Sequence, residues 1–331
     1  INGHELLEED KSDIEKQKRD APKDEIVAVI ADKLGADRNL ILDLAGKSRK
    51  VVAADISEMV KKSIETVALL RAIRDHNPSE DNLREIRETL MNIMNKVIII
   101  AAGLGTRMKG FTEKRPKCLL EFGDKTLLQR QIEAYKDAGI SDISLVRGYK
   151  KETINYEGIT YYDNDDYENN NILNSLFYAE EAISGPVIIS YSDILFESSV
   201  VKRLLESKHD ISIVVDIDWR DYYVGRNDHP IEEAENVIFD ANNDVIEIGK
   251  IMTNKDDVHA EFIGMMKLSS RGASIFKQHF HKSKSLYWGE PFQRAALFQK
   301  AYLTDLLQEM VSLGVQIHCV IIARGWKEID T

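Results

Sequence analysis

Tryptophan and proline are scarce in this chain, 3 and 6 among 331 residues, and cysteine occurs only twice, as Cys118 and Cys319. Two cysteines make no disulfide framework, so a reducing, cytoplasmic setting is expected. No run of 18 apolar residues appears, which leaves no candidate for a membrane-spanning helix. Positive charge is also short. Lys and Arg number 44 against 56 Asp and Glu, a formal net charge of −12, whereas a nucleic-acid surface wants a basic face. The opening INGHELLEEDKSD is acidic and polar, unlike a signal peptide. The eight histidines show no metal-ligand spacing, and His279 and His281, beside lysines, read as surface. What the chain does have is 43% hydrophobic residues, enough for a sizeable core in two domains or one large one. It starts on Ile1 and stops at Thr331 directly after a motif, and so reads as a piece of a longer polypeptide.

Two regions stand out. Residues 1–93 read as all-helical. Ile26, Val27, Val29, Ile30 and Leu34 fit one helix over 24–34. Ile56, Met59, Val60, Ile64, Val67 and Leu70 recur at helical spacing over 55–76, which predicts one buried face. His76-Asn77-Pro78 ends that helix. Asn77 is expected to cap the next, with Pro78 in its first turn and Glu80 at the capping-box position. Leu83, Ile86 and Leu90 continue an apolar face. Gly46-Lys47-Ser48 looks like the end of a P-loop, but Ile41 stands where the glycine should be, so a helix-ending glycine is the simpler reading. No catalytic constellation is found here. Met94 would serve as the first residue of a free-standing enzyme, so 1–93 is expected to be an appended module of unknown role. It could pair two subunits as a homodimer, dock a partner, or end a preceding fused enzyme.

From Lys96 strands and helices alternate. Strands are predicted at 97–100, 143–146, 187–189, 211–215, 258–268 and 315–322. Helices are predicted at 126–138, closed by Gly139, at 172–182 with Asn-rich residues before it as cap, and at 303–313, closed by Gly314. Such alternation builds a parallel or mixed sheet with ligands at the carboxyl ends of its strands. Strand 97–100 feeds Ala101-Ala102-Gly103-Leu104-Gly105-Thr106-Arg107, and Lys114-Arg115-Pro116-Lys117 follows. Glycines let the backbone come close to a phosphate, and its free N–H groups can hold the charge. Arg107 and Lys117 add fixed positive charge. The loop is not a dinucleotide fingerprint, since Met108 stands where the third glycine belongs, and it lacks a Gly-Lys-Ser/Thr ending. Taken alone it could be a plain tight turn. With Arg-Pro-Lys and Leu119-Leu120 after it, it points to an enzyme that binds a nucleoside triphosphate and transfers its nucleotidyl part.

Two further acids suit that chemistry. Strand 187–189 runs into Ser190-Tyr191-Ser192-Asp193. An aspartate just past a buried strand sits where ligands bind, and a triphosphate reaction needs Mg²⁺, which takes carboxylate and phosphate oxygens. The alternative is that Asp193 caps a turn. Near the end, Glu328 and Asp330 point to one side of any extended segment, and either could meet Asp193 on one ion.

The order of these pieces resembles the nucleotidyltransferases, and within them the phosphocholine and phosphonate (2-aminoethylphosphonate) cytidylyltransferases. The likeness runs from Lys96 to Thr331. It rests on the loop, Arg115-Pro116-Lys117-Cys118-Leu119, Arg130-Gln131-Ile132, Arg147-Gly148-Tyr149 and Asn171-Ile172-Leu173-Asn174-Ser175-Leu176. Later pieces are Ser192-Asp193-Ile194, Asp216-Ile217-Asp218-Trp219, Arg226 with His229-Pro230, Glu233-Ala234-Glu235 and Ile248-Gly249-Lys250. Tyr302-Leu303-Thr304-Asp305-Leu306-Leu307 and Gly325-Trp326-Lys327-Glu328-Ile329-Asp330-Thr331 complete the set. The resemblance implies an α/β fold: a mixed, mostly parallel Rossmann-like sheet with helices on both faces over 94–331, preceded by the small helical region. It implies CTP as donor, pyrophosphate release, and transfer of CMP to a small phosphonate or phosphate monoester. It implies Mg²⁺ on Asp193 and Asp330. Ala101, Ala102, Gly103, Gly105, Thr106, Arg107, Lys117 and Ser192 would bind the nucleotide, with Arg107 and Lys117 catalytic.

A cationic aminoalkyl head group wants aromatic faces and carboxylates. Trp219 and Tyr302 match aromatic walls of the phosphocholine enzymes, although such rings could equally be core or loop anchors. Tyr222 and Tyr223 follow Trp219 closely. Arg226 and Lys250 are candidates for the acceptor's phosphorus oxyanion, or are solvated charges. Asp163, Asp165 and Asp166 read as a hydrophilic loop. Rivals are a sugar-1-phosphate nucleotidyltransferase, whose Gly-x-Gly or Glu-Lys-Pro stretch is not seen, and a non-catalytic nucleotide-binding regulatory domain. The latter is disfavoured because Arg107, Lys117, Asp193 and Asp330 are all present.

Overall fold

The computed structural model describes residues 26–27, 29–31, 42, 45, 63–83, 86, 95–225 and 230–329, and for Thr106, Arg107 and Lys109 the backbone alone. The chain divides into two compact units, Ile1–Glu85 and Ile86–Thr331, where the sequence placed the boundary at residue 93. No helix among the described residues is long and apolar enough to cross a membrane.

In the first unit the described residues within 24–34 are helical. Helix α1, Ile64–His76, starts on Ser63, whose side chain accepts from the Thr66 N–H. Asn77 closes it in the left-handed conformation at φ 41°, with its own N–H on the Ile73 carbonyl. Asn77 therefore does not cap the following helix. Ser79 does, accepting from the Asn82 N–H at 3.2 Å. Asparagine tolerates the left-handed region better than most residues, which suits it to end a helix. The buried face expected for α1 is absent: none of its residues is buried, and Ile64 is 86% exposed. Residues 55–62, Gly46-Lys47-Ser48 and Leu90 lie outside the described residues.

The second unit begins with β1, Lys96–Ala101. A short hairpin follows, β2 (Glu121–Phe122) and β3 (Lys125–Thr126), then α2, Leu127–Asp137, whose N-cap Thr126 accepts from the Gln129 N–H. Next come β4 (Asp142–Arg147), β5 (Ile159–Asp163), α3 (Ile172–Leu176), β6 (Val187–Tyr191), β7 (Ile194–Phe196) and α4 (Ser198–Glu206). The chain continues through β8 (Ile211–Asp216), β9 (Asn236–Phe239), β10 (Val245–Gly249) and β11 (Ala260–Leu268). Helices α5 (Ser270–Tyr287) and α6 (Leu303–Ser312) precede β12 (His318–Ile322) and β13 (Trp326–Glu328).

Strands run in the order β10-β9-β11-β6-β1-β4-β5, and β8 pairs with β11 and β12. The stretch β6-β1-β4-β5 is parallel, and β11 lies antiparallel to β6 and β8, so the sheet is mixed. Alternation along β1 sends Ile98 and Ile100 into one core, and Val97, Ile99 and Ala101 into the other. The first core takes Leu173 and Leu176 of α3, Phe276 and Phe280 of α5, and Leu303, Leu306, Leu307 and Met310 of α6. The second takes Leu128, Ile132 and Tyr135 of α2, and Val200, Val201 and Leu204 of α4. Helices thus cover both faces, as the sequence led one to expect.

The α-helix expected over 172–182 ends at Leu176, and a 3₁₀ segment, Phe177–Ala182, replaces its second half with a kink at Ala179. The tighter turn accompanies the stacking of Phe177 on Phe276, centroids 5.9 Å apart. Helices α4 and α5 and strands β5, β7, β9 and β10 were not foreseen. In α5 only Gly272, Ala273, Phe276, Phe280 and Ser283 are buried, so its apolar stripe is thin among lysines and serines.

Candidate active site

A cavity of about 280 Å³ opens at the carboxyl ends of β1 and β6, the edge where parallel strands leave room for ligands. Ala101, Ala102, Gly103, Gly105, Lys117, Ser192, Asp193, Lys250, Tyr302 and Glu328 all line it. These residues come from six separated stretches of the chain, and the sheet brings them together.

The small-residue loop owes its path to Gly105. That residue sits at φ +62°, and a Cβ there would meet Lys117 Cβ at 3.1 Å and Thr112 Cγ2 at 3.2 Å. The Thr112 hydroxyl donates to the Gly105 carbonyl at 2.9 Å, and the Tyr149 hydroxyl donates in turn to the Thr112 carbonyl at 3.1 Å. Pro116, extended at φ −66°, delivers Lys117 into a 3₁₀ turn, Lys117–Leu119, where it is buried. Its Nζ donates to Asp193 Oδ2 at 2.9 Å across 76 residues of sequence. Thr106 and Arg107 open a 3₁₀ segment, Thr106–Phe111, and the Arg107 side chain lies outside what is described.

Asp193 stands in the turn between β6 and β7. Gln131 of α2, 1% exposed, braces that turn. Its Nε2 donates to the carbonyls of Tyr191, at 2.9 Å, and Ile194, at 2.6 Å. Strand β13 pairs antiparallel with β7, Glu328 opposite Ile194, and the Ile329 N–H donates to the Asp193 carbonyl at 2.8 Å. The last described residue therefore lies beside Asp193. Asp330 and Arg226 lie outside the described residues.

Trp219 is corrected by the structure. It does not line the cavity but is 3% exposed in a small cluster with Tyr223, Ala234, Met252 and Val258. Apolar burial outweighs display here, although the indole N–H finds no hydrogen-bond partner among the described residues. Its ring packs edge-on against Tyr223, centroids 5.8 Å apart, and the Tyr223 hydroxyl donates to Glu261 Oε1 in a short hydrogen bond. Trp219 thus packs on the tyrosine that donates to Glu261. Tyr222 packs on Trp326. Asp163 is not simply loop: it ends β5 and pairs with Arg147 at 2.7 Å. Asp216 accepts from the Trp326 indole N–H at 2.8 Å and the Arg324 N–H at 3.0 Å.

Two further acids beside the cavity were given no role from sequence: Glu235 was named only within Glu233-Ala234-Glu235, and Glu261 not at all. Glu235 accepts from the Tyr191 hydroxyl at 3.1 Å and the Thr304 hydroxyl at 2.9 Å, with Arg294 Nη2 at 3.7 Å. Burial raises its carboxyl above the usual range despite Arg294 and Lys250. Glu261, on β11, is 4% exposed, and its Oε2 has no hydrogen-bond partner among the described residues. Burial first, then the negative fields of Glu328, Glu235 and Asp216, push its carboxyl up to about 8. A signal existed in the sequence: Glu261 is an acid near the start of an otherwise apolar strand, AEFIGMMKL. Beyond it β11 bulges at Gly264, φ +80°, where a Cβ would lie 2.4 Å from Tyr191 Cδ2. Only a glycine leaves room there for the Tyr191 side chain.

The Glu261 shift has a consequence for stability. A carboxyl raised in the folded state contributes its full share below the unfolded value, near 4.5, and loses it as pH rises through about 8. Glu261→Gln is expected to flatten the fall of Tm across that window, and a pH series of thermal melts checks it. An unchanged slope would place the Glu261 carboxyl at an ordinary value.

The sequence pattern described as MobA-like NTP transferase domain matches residues 97–308. The chain is 30% identical over 249 residues to the CTP:phosphoglutamine cytidylyltransferase of Campylobacter jejuni, covering 70% of this chain and 94% of that protein. It is 36% identical over 118 residues to the choline-phosphate cytidylyltransferase of Streptococcus pneumoniae, covering 34% of this chain and 52% of that one. The solved structure of the CTP:phosphocholine cytidylyltransferase of that organism superposes with a TM-score of 0.53 at 22% identity, over 72% of this chain and 95% of that one; at that identity the likeness speaks for the fold.

Proposed function

The chain belongs to the MobA-like NTP transferase domain family and is a nucleotidyltransferase of the cytidylyltransferase type, and on that premise we propose that it transfers CMP from CTP to a small acceptor bearing a phosphate or phosphonate. The observation that carries this reading is the Lys117–Asp193 pair, 2.9 Å apart, facing the Ala101–Gly105 loop across one cavity. Phosphoryl chemistry is mostly positioning and electrostatics, and the protein needs no covalent nucleophile. The acceptor's oxygen attacks the α-phosphorus in line and pyrophosphate leaves. Lys117 holds the α-phosphate and the incoming oxygen. The loop amides and Arg107 hold the β- and γ-phosphates. Ser192 sits on the same wall as Asp193.

Asp193 and Glu328 offer only hard oxygen donors, which fits Mg²⁺, and Asp330 is next in sequence to Ile329, whose N–H donates to the Asp193 carbonyl. A bound Mg²⁺ offsets charge on the triphosphate. Lys250 lines the cavity with its Nζ 2.6 Å from Glu233 Oε2 and is assigned to the acceptor's phosphorus oxyanion. Candidate acceptors are 2-aminoethylphosphonate, phosphocholine and, by the likeness to the Campylobacter protein, phosphoglutamine.

The test is pyrophosphate release with CTP, UTP or GTP, Mg²⁺ and each acceptor. CTP with at least one of these acceptors is expected to turn over well above the others. Release only with a sugar 1-phosphate, or with no acceptor at all, would overturn the reading.

A further inference from the structure

The acceptor end of the cavity has a charge pattern that its CTP end does not explain. Glu261 Oε2 is a buried acceptor with no hydrogen-bond partner among the described residues, on a residue that lines the cavity. Glu235 and Glu328 line it too, and their fields add to that of Glu261. An acidic group so buried normally has a cation or a donor against it. Tyr223 supplies one donor, to Oε1 only.

The two aromatic residues expected to wall the acceptor's head group are already committed. Trp219 is buried in its own cluster. The Tyr302 ring is faced by two cations of the protein, Lys250 Nζ at 5.1 Å and Arg294 Cζ at 4.4 Å from its centroid. A quaternary ammonium donates no hydrogen bond and depends on open aromatic faces. A primary ammonium has three N–H donors and is matched by carboxylate oxygens.

From this juxtaposition we propose that Glu261 seats the acceptor's cationic end, and that the acceptor class is a primary amine rather than a trimethylammonium. The inference rests on the cytidylyl transfer proposed above. Glu261 touches the substrate's amino group through Oε2, Tyr223 positions Oε1, and Trp219 positions Tyr223. Lys250, on the same cavity, keeps the phosphorus oxyanion apart from these acids. The ammonium would bring the Glu261 carboxyl into its ionised form on binding, so loss of this carboxylate weakens acceptor binding and leaves the CTP site as it is.

The experiment uses acceptor pairs that differ only in N-methylation: 2-aminoethylphosphonate against its N,N,N-trimethyl analogue, and phosphoethanolamine against phosphocholine. With the full chain, CTP and Mg²⁺, the primary amine of each pair is expected to win by about tenfold or more in kcat/KM, the equivalent of one charged hydrogen bond. Glu261→Gln is expected to raise the acceptor KM about tenfold, leave the CTP KM within twofold, and shrink the preference. Tyr223→Phe, which frees Oε1, is expected to lie between. Equal or better use of the trimethyl members, or a preference unchanged in Glu261→Gln, would overturn the inference while the reaction stands. No pyrophosphate release with either pair would overturn the reaction and the inference with it.

Discussion

Lys117→Ala is expected to lower kcat/KM by roughly 10²–10³, with most of the loss in kcat, because a cation on the reacting phosphate acts where charge develops in the transition state. Lys117 is 8% exposed, so water does not screen it, and its ammonium is already aimed by Asp193 at 2.9 Å. Lysine is a point charge on a flexible stem, whereas arginine is a planar fork. Lys117→Arg is therefore expected to recover only part of the rate, since the longer, planar head would have to fit where the buried ammonium now sits 2.9 Å from Asp193. Removing the lysine also leaves Asp193, one quarter exposed at the side chain, without its partner, so rates must be compared well below each variant's Tm. Full turnover by Lys117→Ala would remove Lys117 from the reaction.

The second large effect is expected at Asp193. Asp193→Asn keeps the shape but removes the charge that would hold a divalent cation, and a loss of about 10² or more is expected. Its mark should be a raised Mg²⁺ requirement: the concentration for half-maximal rate moves up, while the acceptor KM changes little. An unaltered Mg²⁺ dependence would show that the carboxylate serves only to aim Lys117. Gln131 offers a graded comparison, because it braces the turn from below without lining the cavity.

Much of the catalytic half could be read along the chain because its signals are local. β1 is a continuous apolar run, the loop after it is dense in small residues, and Thr126 and Gly139 bracket α2. Asp193 follows a strand buried at every residue up to Ser190. The failures are equally physical. α5 carries too thin an apolar stripe among its lysines and serines to show period. Asn77 satisfied both a helix end and a helix start as a residue type, and the backbone chose the former. Trp219 has the right chemistry for a binding wall, and nothing within a few residues of it tells whether its ring turns in or out.

The sequence by itself determined the class of chemistry, since glycine, arginine, lysine and aspartate types at short spacings specify how backbone amides and charges meet a polyphosphate. It also determined the alternating α/β plan, because apolar periodicity is written into neighbouring residues. Only the tertiary structure decided which distant groups share a wall: Lys117 with Asp193, Tyr223 with Glu261, and Glu235 with Arg294. Burial and partnering are properties of contacts between segments far apart in the chain, and so the acids at the acceptor end acquired their meaning only when β11 was laid between β6 and β8.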